Sequence, residues 1–252
     1  MKIRRLLKMI YFFGFKYKCI YCSFSYRKFD FSGLSHDVLK RLDVIGGQQR
    51  DNSKCPICKS TDRERLLFFY YKKLIKPVSE SKSMKILHIA PEKNLRNVLI
   101  KDQNIEYYSG DKFEEGYEYP DECAYLDITN LNYPNEVFDF VICNHVLEHV
   151  SDYNIALSEI RRVLKIGGKG ILQVPLASKV ERTIEDDNIN TESLREYHYG
   201  QKDHVRLFGM DYPAILAKAG FTVDIYSPQY LSNDQVDKYR LNSRENLFQV
   251  TK

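Results

Sequence analysis

The stretch from Asp127 to Pro175 constrains this chain most. Val137, Phe138, Phe140, Val141, Ile142 and Cys143 form a nearly continuous apolar run, the pattern of a strand buried on both faces of a parallel sheet. Asn144, His145, Glu148 and His149 follow at once. Open α/β sheets bind ligands beyond the carboxyl ends of their strands, so this order places a candidate site there. Ser151 or Asp152 is positioned to cap a helix with Ile155, Ile160, Val163 and Leu164 on its inner face. Gly167 and Gly168 are expected to stop that helix, and Gly170 to Pro175 to return as the neighbouring strand. The stretch reads as one βαβ unit.

A chain of 252 residues holds one sizeable α/β domain and a small module. Its net charge of +4 is mild and weighs against nucleic acid as a partner, because RNA-binding enzymes are often more basic. No apolar run approaches a membrane span. MKIRRLLKMIYFFGF lacks the long apolar core and cleavage site of a signal peptide, so a cytoplasmic protein is expected. Residues 2 to 17 predict a short basic amphipathic helix. Ile3, Leu6, Leu7 and Ile10 fall on one face, with Lys2, Arg4, Arg5 and Lys8 on the other. Peripheral contact with an anionic membrane surface and docking on the protein itself are both open for it.

Two knuckles follow, Cys19-Ile-Tyr-Cys22 and Cys55-Pro-Ile-Cys58. Four thiolates complete a tetrahedral zinc shell with no open position, so the expected metal is structural. Without an export signal such pairs favour metal over disulfides. Lys59 stands where such knuckles often have glycine. Asp62 is read as the cap of a helix RERLLFFYYKKLIK with Leu66, Leu67, Tyr70 and Leu74 inward, and residues 77 to 83 as a linker. The expected division is a module with its connecting helix, 1–76, and a main domain, 84–252.

The main domain opens with a strand from Met84 to Ala90 and a turn through Pro91, Glu92, Lys93 and Asn94. Ile105 to Asp111 reads as a second strand ending in an acidic residue able to accept hydrogen bonds from two ribose hydroxyls. Asp111 lies about twenty residues beyond the first turn, the separation of a βαβ nucleotide unit. His145 and His149 are four apart, but the zinc-protease pattern has Glu directly after the first His, and no third ligand is apparent. No metal is therefore expected there; Asn144 and His145 line a cofactor, and His149 packs or orients the loop. Residues 177 to 202 are too long for an ordinary connection and read as a lid or substrate loop. Asp203-His204-Val205-Arg206 closes that insertion, and strands are expected at 221–226 and, antiparallel, at 246–251.

FDFVICNHVLEHV, LSEIRRVLKIGGKGILQVP and the later GQKDHVRLFGMDYPAILAKAGF resemble the class I S-adenosylmethionine-dependent methyltransferases. The resemblance is to a type 11-like bacterial subgroup with an N-terminal CxxC…CxxC zinc module, often linked with surface-glycan genes. It covers roughly residues 84 to 252. It implies a Rossmann-like, mostly parallel sheet whose last strand is antiparallel, with S-adenosylmethionine as cofactor. In such enzymes an acidic residue and a glycine-rich turn follow the first strand. Here His88 replaces the acid, and Ala90, Glu92 and Asn94 replace the glycines. Alanine is small and asparagine tolerates the left-handed region, while Glu92 is the carboxylate left to meet the methionine ammonium. The resemblance therefore implies a cofactor site of His88, Ala90, Pro91 and Glu92, Asp111 at the ribose, Asp127 and the Ile128 amide at adenine, and Asn144 and His145 beside them.

Methyl transfer to an alcohol needs alignment, exclusion of water and a base. His204 is the first candidate for that base, with His149 and His145 behind it, and Arg206 is a candidate for a substrate phosphate or carboxylate. The expected reaction is O-methylation of a sugar or other small polar acceptor. An RNA base methyltransferase using the zinc module as reader is one alternative. A non-catalytic binding protein is the other, and the missing glycines are its only support.

Overall fold

The computed structural model describes residues 2–113 and 123–252, with the side chains of residues 2–5 outside the described set. Seven strands make the central sheet: β1 (Met84–Ile89), β2 (Ile105–Asp111), β3 (Ala124–Tyr125), β4 (Phe138–Asn144), β5 (Leu164–Gln173), β6 (Thr222–Tyr226) and β7 (Leu247–Thr251). Their spatial order is β6-β7-β5-β4-β1-β2-β3. Pairing is parallel from β5 through β3, and β7 runs antiparallel to both β5 and β6. This is the Rossmann-like methyltransferase sheet that the resemblance implied.

Side chains alternate across a strand, so the apolar runs of β1, β4 and β5 supply two cores. Leu87, Ile89, Val141, Cys143 and Leu172 face Ala156, Leu157, Ile160 and Val163 of the helix Tyr153–Val163, and Leu216 of the helix Tyr212–Lys218. Ile86, Phe140, Ile142 and Ile171 face Leu66, Leu67, Tyr70, Tyr71 and Ile75, with Leu95 and Leu99. Each such side chain contributes roughly 1.5–3 kcal/mol on burial. The helix after the second knuckle is thus one layer of the sheet, not a connector.

Several local expectations need correction. Thr61, not Asp62, caps that helix: its hydroxyl accepts from Glu64 N, and the Glu64 carboxylate accepts from Thr61 N at 2.8 Å. Asp62 instead takes Arg50 in a two-pronged pair at 2.9 Å. Residues 77–83 are not a linker, because Pro77 sits in the first turn of the helix Lys76–Ser81. A π-helical stretch, Tyr71–Ile75, precedes it; this wider turn directs Tyr71 and Ile75 inward and leaves Leu74 at the surface. Asp152 caps the next helix, whose Ile155 is half exposed instead of inward. That helix ends at Val163, ahead of Gly167 and Gly168; the two glycines lie in an irregular stretch of β5 between Leu164 and Lys169.

The N-terminal helix is shorter than predicted, Lys2–Phe12, and Phe13–Lys18 is a strand paired with Ser25–Tyr26. The predicted faces of Lys2, Ile3, Arg4 and Arg5 lie outside the described residues. Leu6, Leu7 and Ile10 are 57–66% exposed, so they do not dock on the protein. Between the knuckles, Val44–Ile45 pairs with Leu176–Ala177. Val38, Leu39 and Val44 are buried with Ala177, Leu207 and Tyr199, the last from the helix Glu192–Tyr199 of the insertion. Module and insertion therefore share one small core above the carboxyl ends of the strands.

Candidate active site

The ends of β1, β2 and β4 open into a cavity of about 790 Å³. Ala90, Pro91 and Glu92 line it from the turn after β1, Asp111 from β2, Asp127 and Ile128 after β3, and Asn144 and His145 from the end of β4. Ala90 has φ +50° and His145 φ +54°, the left-handed region that a glycine-rich turn would enter freely. Glu92 is held from three sides. Its Oε2 lies 2.7 Å from His88 Nε2, its Oε1 accepts from Asn144 Nδ2 at 3.1 Å, and the Arg63 guanidinium stands 4.0 Å away. Burial opposes its charge, but the His88 hydrogen bond and the nearby positive groups hold its pKa below the usual glutamate value. An ionised acceptor is thereby kept in the cavity wall.

His88 itself does not reach the cavity. It is fully buried beneath, with Nδ1 3.0 Å from the Tyr107 hydroxyl, and serves to orient Glu92. One oxygen of Asp127 accepts from Thr129 N and Oγ1 at 2.9 and 2.7 Å, which lowers its pKa. Asp111 Oδ1 accepts from Lys112 N at 2.7 Å.

A second group of lining residues comprises Glu148 and His149 from the turn after β4, and Asp203 and His204 from the end of the insertion. Gly33, Leu34, Leu39, Gly46 and Gly47 of the module close over it. Gly46 has φ +83°, and a Cβ there would meet Glu245 Oε1 at 3.2 Å and His145 Cε1 at 3.3 Å. His149 Nδ1 lies 3.3 Å from Asp203 Oδ2, and its ring meets that of His204 edge to face at 4.7 Å. Asp203 thus orients His149, not the adjacent His204. Burial, then the neighbouring His149, push the pKa of His204 down to about 3. Burial and then the Arg63 charge hold His145 well below its ordinary value. In both, the surroundings favour the neutral imidazole. Burial raises Glu148 to about 7.

The fold adds to what the sequence offered in this wall. A metal at His145 and His149 lacked a third ligand, yet the fold supplies donors from elsewhere: one atom each of Glu148, His149 and His204 lie within 4.8 Å of one another. His204 comes from the far end of the insertion, a proximity no local spacing encodes. Arg206 is also reassigned. Its guanidinium is fully buried, donating to the carbonyls of Leu147, Val150 and Ser151 and pairing with Glu185, so it fastens the insertion to the His149 turn instead of meeting substrate. Arg63 was missed because a basic residue in a first helical turn carries no local mark. The module's glycines were missed because nothing in sequence says what they cover.

Four sulfurs gather in the module. Cys19 and Cys58 Sγ are 3.5 Å apart, Cys22 and Cys55 Sγ 3.8 Å, and all four lie within 4.8 Å of one another. A zinc–sulfur bond of about 2.3 Å gives a tetrahedral edge of about 3.8 Å, so the set fits zinc. Hydroxyls surround it: Ser60 lies 3.3 and 3.2 Å from Cys19 and Cys58, and Tyr26 3.3 and 3.2 Å from Cys22 and Cys55. Lys59 takes the left-handed conformation, φ +66°, that the knuckle needs.

Residues 87–172 match the family described as a methyltransferase domain, which supports an S-adenosylmethionine-dependent methyltransferase. No curated protein sequence matches it. Similar solved structures include the Haloferax volcanii complex of the Trm112 methyltransferase activator with a putative methyltransferase (16% identity, 75% of this chain and 92% of that one, TM-score 0.44). A putative methyltransferase from Bacillus halodurans is similar at 16% identity over 72% of this chain and 99% of that one, with TM-score 0.43. The Haemonchus contortus phosphoethanolamine N-methyltransferase 2, solved with S-adenosyl-L-methionine, is similar at 15% identity over 68% of this chain and 49% of that one, with TM-score 0.44. Among the described residues no helix is long and apolar enough to cross a membrane.

Proposed function

We propose that the enzyme methylates a hydroxyl of a sugar or other small polar acceptor in surface-glycan biosynthesis, on the cytoplasmic side. The observation that carries this is the placement of the histidine–carboxylate group in one cavity with the cofactor wall. A volume of about 790 Å³ is in the range that takes a cofactor and a small ligand. On this reading Glu92 receives the methionine ammonium, Asp111 the ribose hydroxyls, and Asp127 with the Ile128 amide the adenine. S-adenosylmethionine held there would supply the methyl group to the acceptor oxygen, the new C–O bond replacing the C–S bond, whose electron pair would stay on sulfur. His149, oriented by Asp203, takes the hydroxyl proton, with His204 and His145 behind it. Four cysteines hold a structural zinc that keeps the module, and so the roof, in shape. The exposed Leu6, Leu7 and Ile10 support peripheral contact with a lipid surface carrying the acceptor.

Calorimetric titration with S-adenosylmethionine tests the first step, and about one site per chain is expected. Transfer of labelled methyl to a panel of sugars, lipid-linked glycans and RNA tests the second. Absent cofactor binding would overturn the enzyme, and methylation of RNA alone would overturn the acceptor class.

A further inference from the structure

We propose that Glu148, His149 and His204 form a second metal site, separate from the four cysteines, which takes one divalent transition-metal cation and presents it to the acceptor's oxygen. Each residue supplies one donor, and the three donors lie within 4.8 Å of one another. Donors about 2.0–2.2 Å from a common cation stand roughly 3–4 Å apart, so small side-chain rotations complete the set. Two observations beyond proximity point to a ligand. Glu148 is 1% exposed, and neither carboxylate oxygen has a hydrogen-bond donor; the closest basic atom is His145 Nδ1, 3.4 Å from Oε1. A carboxylate sealed from water without donors is costly unless something else compensates it. His204 is 6% exposed, and its Nδ1 is likewise without a partner.

The supporting groups have the arrangement found behind metal-bound histidines. The His149 imidazole is backed by the Asp203 carboxylate at 3.3 Å, and the His204 ring packs edge to face on it at 4.7 Å. A carboxylate partner fixes the ring and its tautomer, leaving the opposite nitrogen to ligate. Two imidazoles and one carboxylate suit Mn²⁺, Fe²⁺, Co²⁺ or Zn²⁺, and three protein ligands leave positions open toward the cavity. The catalytic consequence rests on the hydroxyl-methylation reading, although the binding itself does not. A hydroxyl bound to the cation loses its proton to water at the cavity mouth, and the oxygen, now an alkoxide, attacks the methyl group. With the cation bound, His149 is its ligand, and the base role given to it above for the metal-free site passes to that water. A second open position favours acceptors with two adjacent hydroxyls, which chelate.

The test uses the full chain with its cysteine-bound zinc verified by elemental analysis, after weakly held metal has been stripped with EDTA. Mn²⁺ is titrated and its free form followed by electron paramagnetic resonance, because this hard ion does not displace zinc from thiolates. Co²⁺ and Zn²⁺ uptake are measured by equilibrium dialysis. About one Mn²⁺ per chain is expected. Glu148→Gln and His204→Asn should each weaken binding by at least about tenfold, with S-adenosylmethionine affinity unchanged. A wild-type chain that takes up none of the three ions beyond the cysteine site overturns the proposal. So does uptake at wild-type affinity in both variants, which would place the ion elsewhere. Cofactor titration of the same samples reports on the methyltransferase reading separately: a metal without a cofactor breaks that reading, and a cofactor without a metal breaks this one.

Discussion

One wall of the cavity is made by the ends of β1, β2 and β4, a contiguous parallel sheet whose residues come in chain order. The other is made by the turn after β4, the end of the insertion and the module between the cysteine pairs, elements far apart in the sequence. The first wall is built by the sheet itself. The second is an assembly of additions, and on the proposed function the choice of acceptor would fall to it.

The largest expected effect breaks the second wall alone. Cys22→Ser should abolish zinc binding, lower stability on the order of 5 kcal/mol and end acceptor turnover, with cofactor affinity changing much less. Zinc content, denaturant unfolding and cofactor titration check it; equal loss of cofactor binding would show that the walls are not separable. His149→Ala should reduce turnover by roughly 10²–10⁴-fold and spare cofactor affinity, read by single-turnover kinetics. Asp111→Ala acts on the first wall and should weaken cofactor binding by roughly 1.5–3 kcal/mol, measured calorimetrically; unchanged affinity would move the ribose elsewhere.

The smallest effect lies at the seam. Glu245 is buried, accepts from Gln173 Nε2 of β5 at 2.6 Å, and backs Gly46 of the module. Burial, then Asp62, raise its pKa from 4.5 to about 7. The folded state thus holds the proton more tightly than the unfolded chain. That contribution is full below about pH 4.5 and is lost as the pH rises through about 7. It amounts to about 1–3 kcal/mol at most. Glu245→Gln should flatten that slope in urea unfolding at pH 5 and pH 8, and an unchanged slope would mean the seam stays open to water.

The strands that make the first wall were legible because their signals are local: the apolar run of β4 with polar residues at its end, and the acidic end of β2. Even there His88 was misplaced, since strand pattern does not tell a residue that lines a cavity from one that supports its neighbour. The second wall was not legible. His204 was singled out for the chemistry its side chain offers, but its partners, Glu148 and His149, are brought to it by the β4 turn and the path of the insertion. The helix Asp62–Tyr70 was read as a connector because an amphipathic stripe does not say which sheet it covers. Ile155 and Leu74 fell on the expected stripe and were displaced by the helix's actual exit and by a π turn.

Arg65 bears on how the chain reaches this state. Its guanidinium is fully buried inside the module, yet besides Ser53 and Ser60 its acceptors are the carbonyls of Tyr239 and Arg240, 174 and 175 positions away. Until those carbonyls have been synthesised, burying the guanidinium would leave part of a cation without acceptors, so the charge stays in water. A chain truncated before Tyr239 is therefore expected to leave this guanidinium short of two acceptors and the module incompletely closed, so the amino-terminal part depends for its finished packing on the far end of the chain.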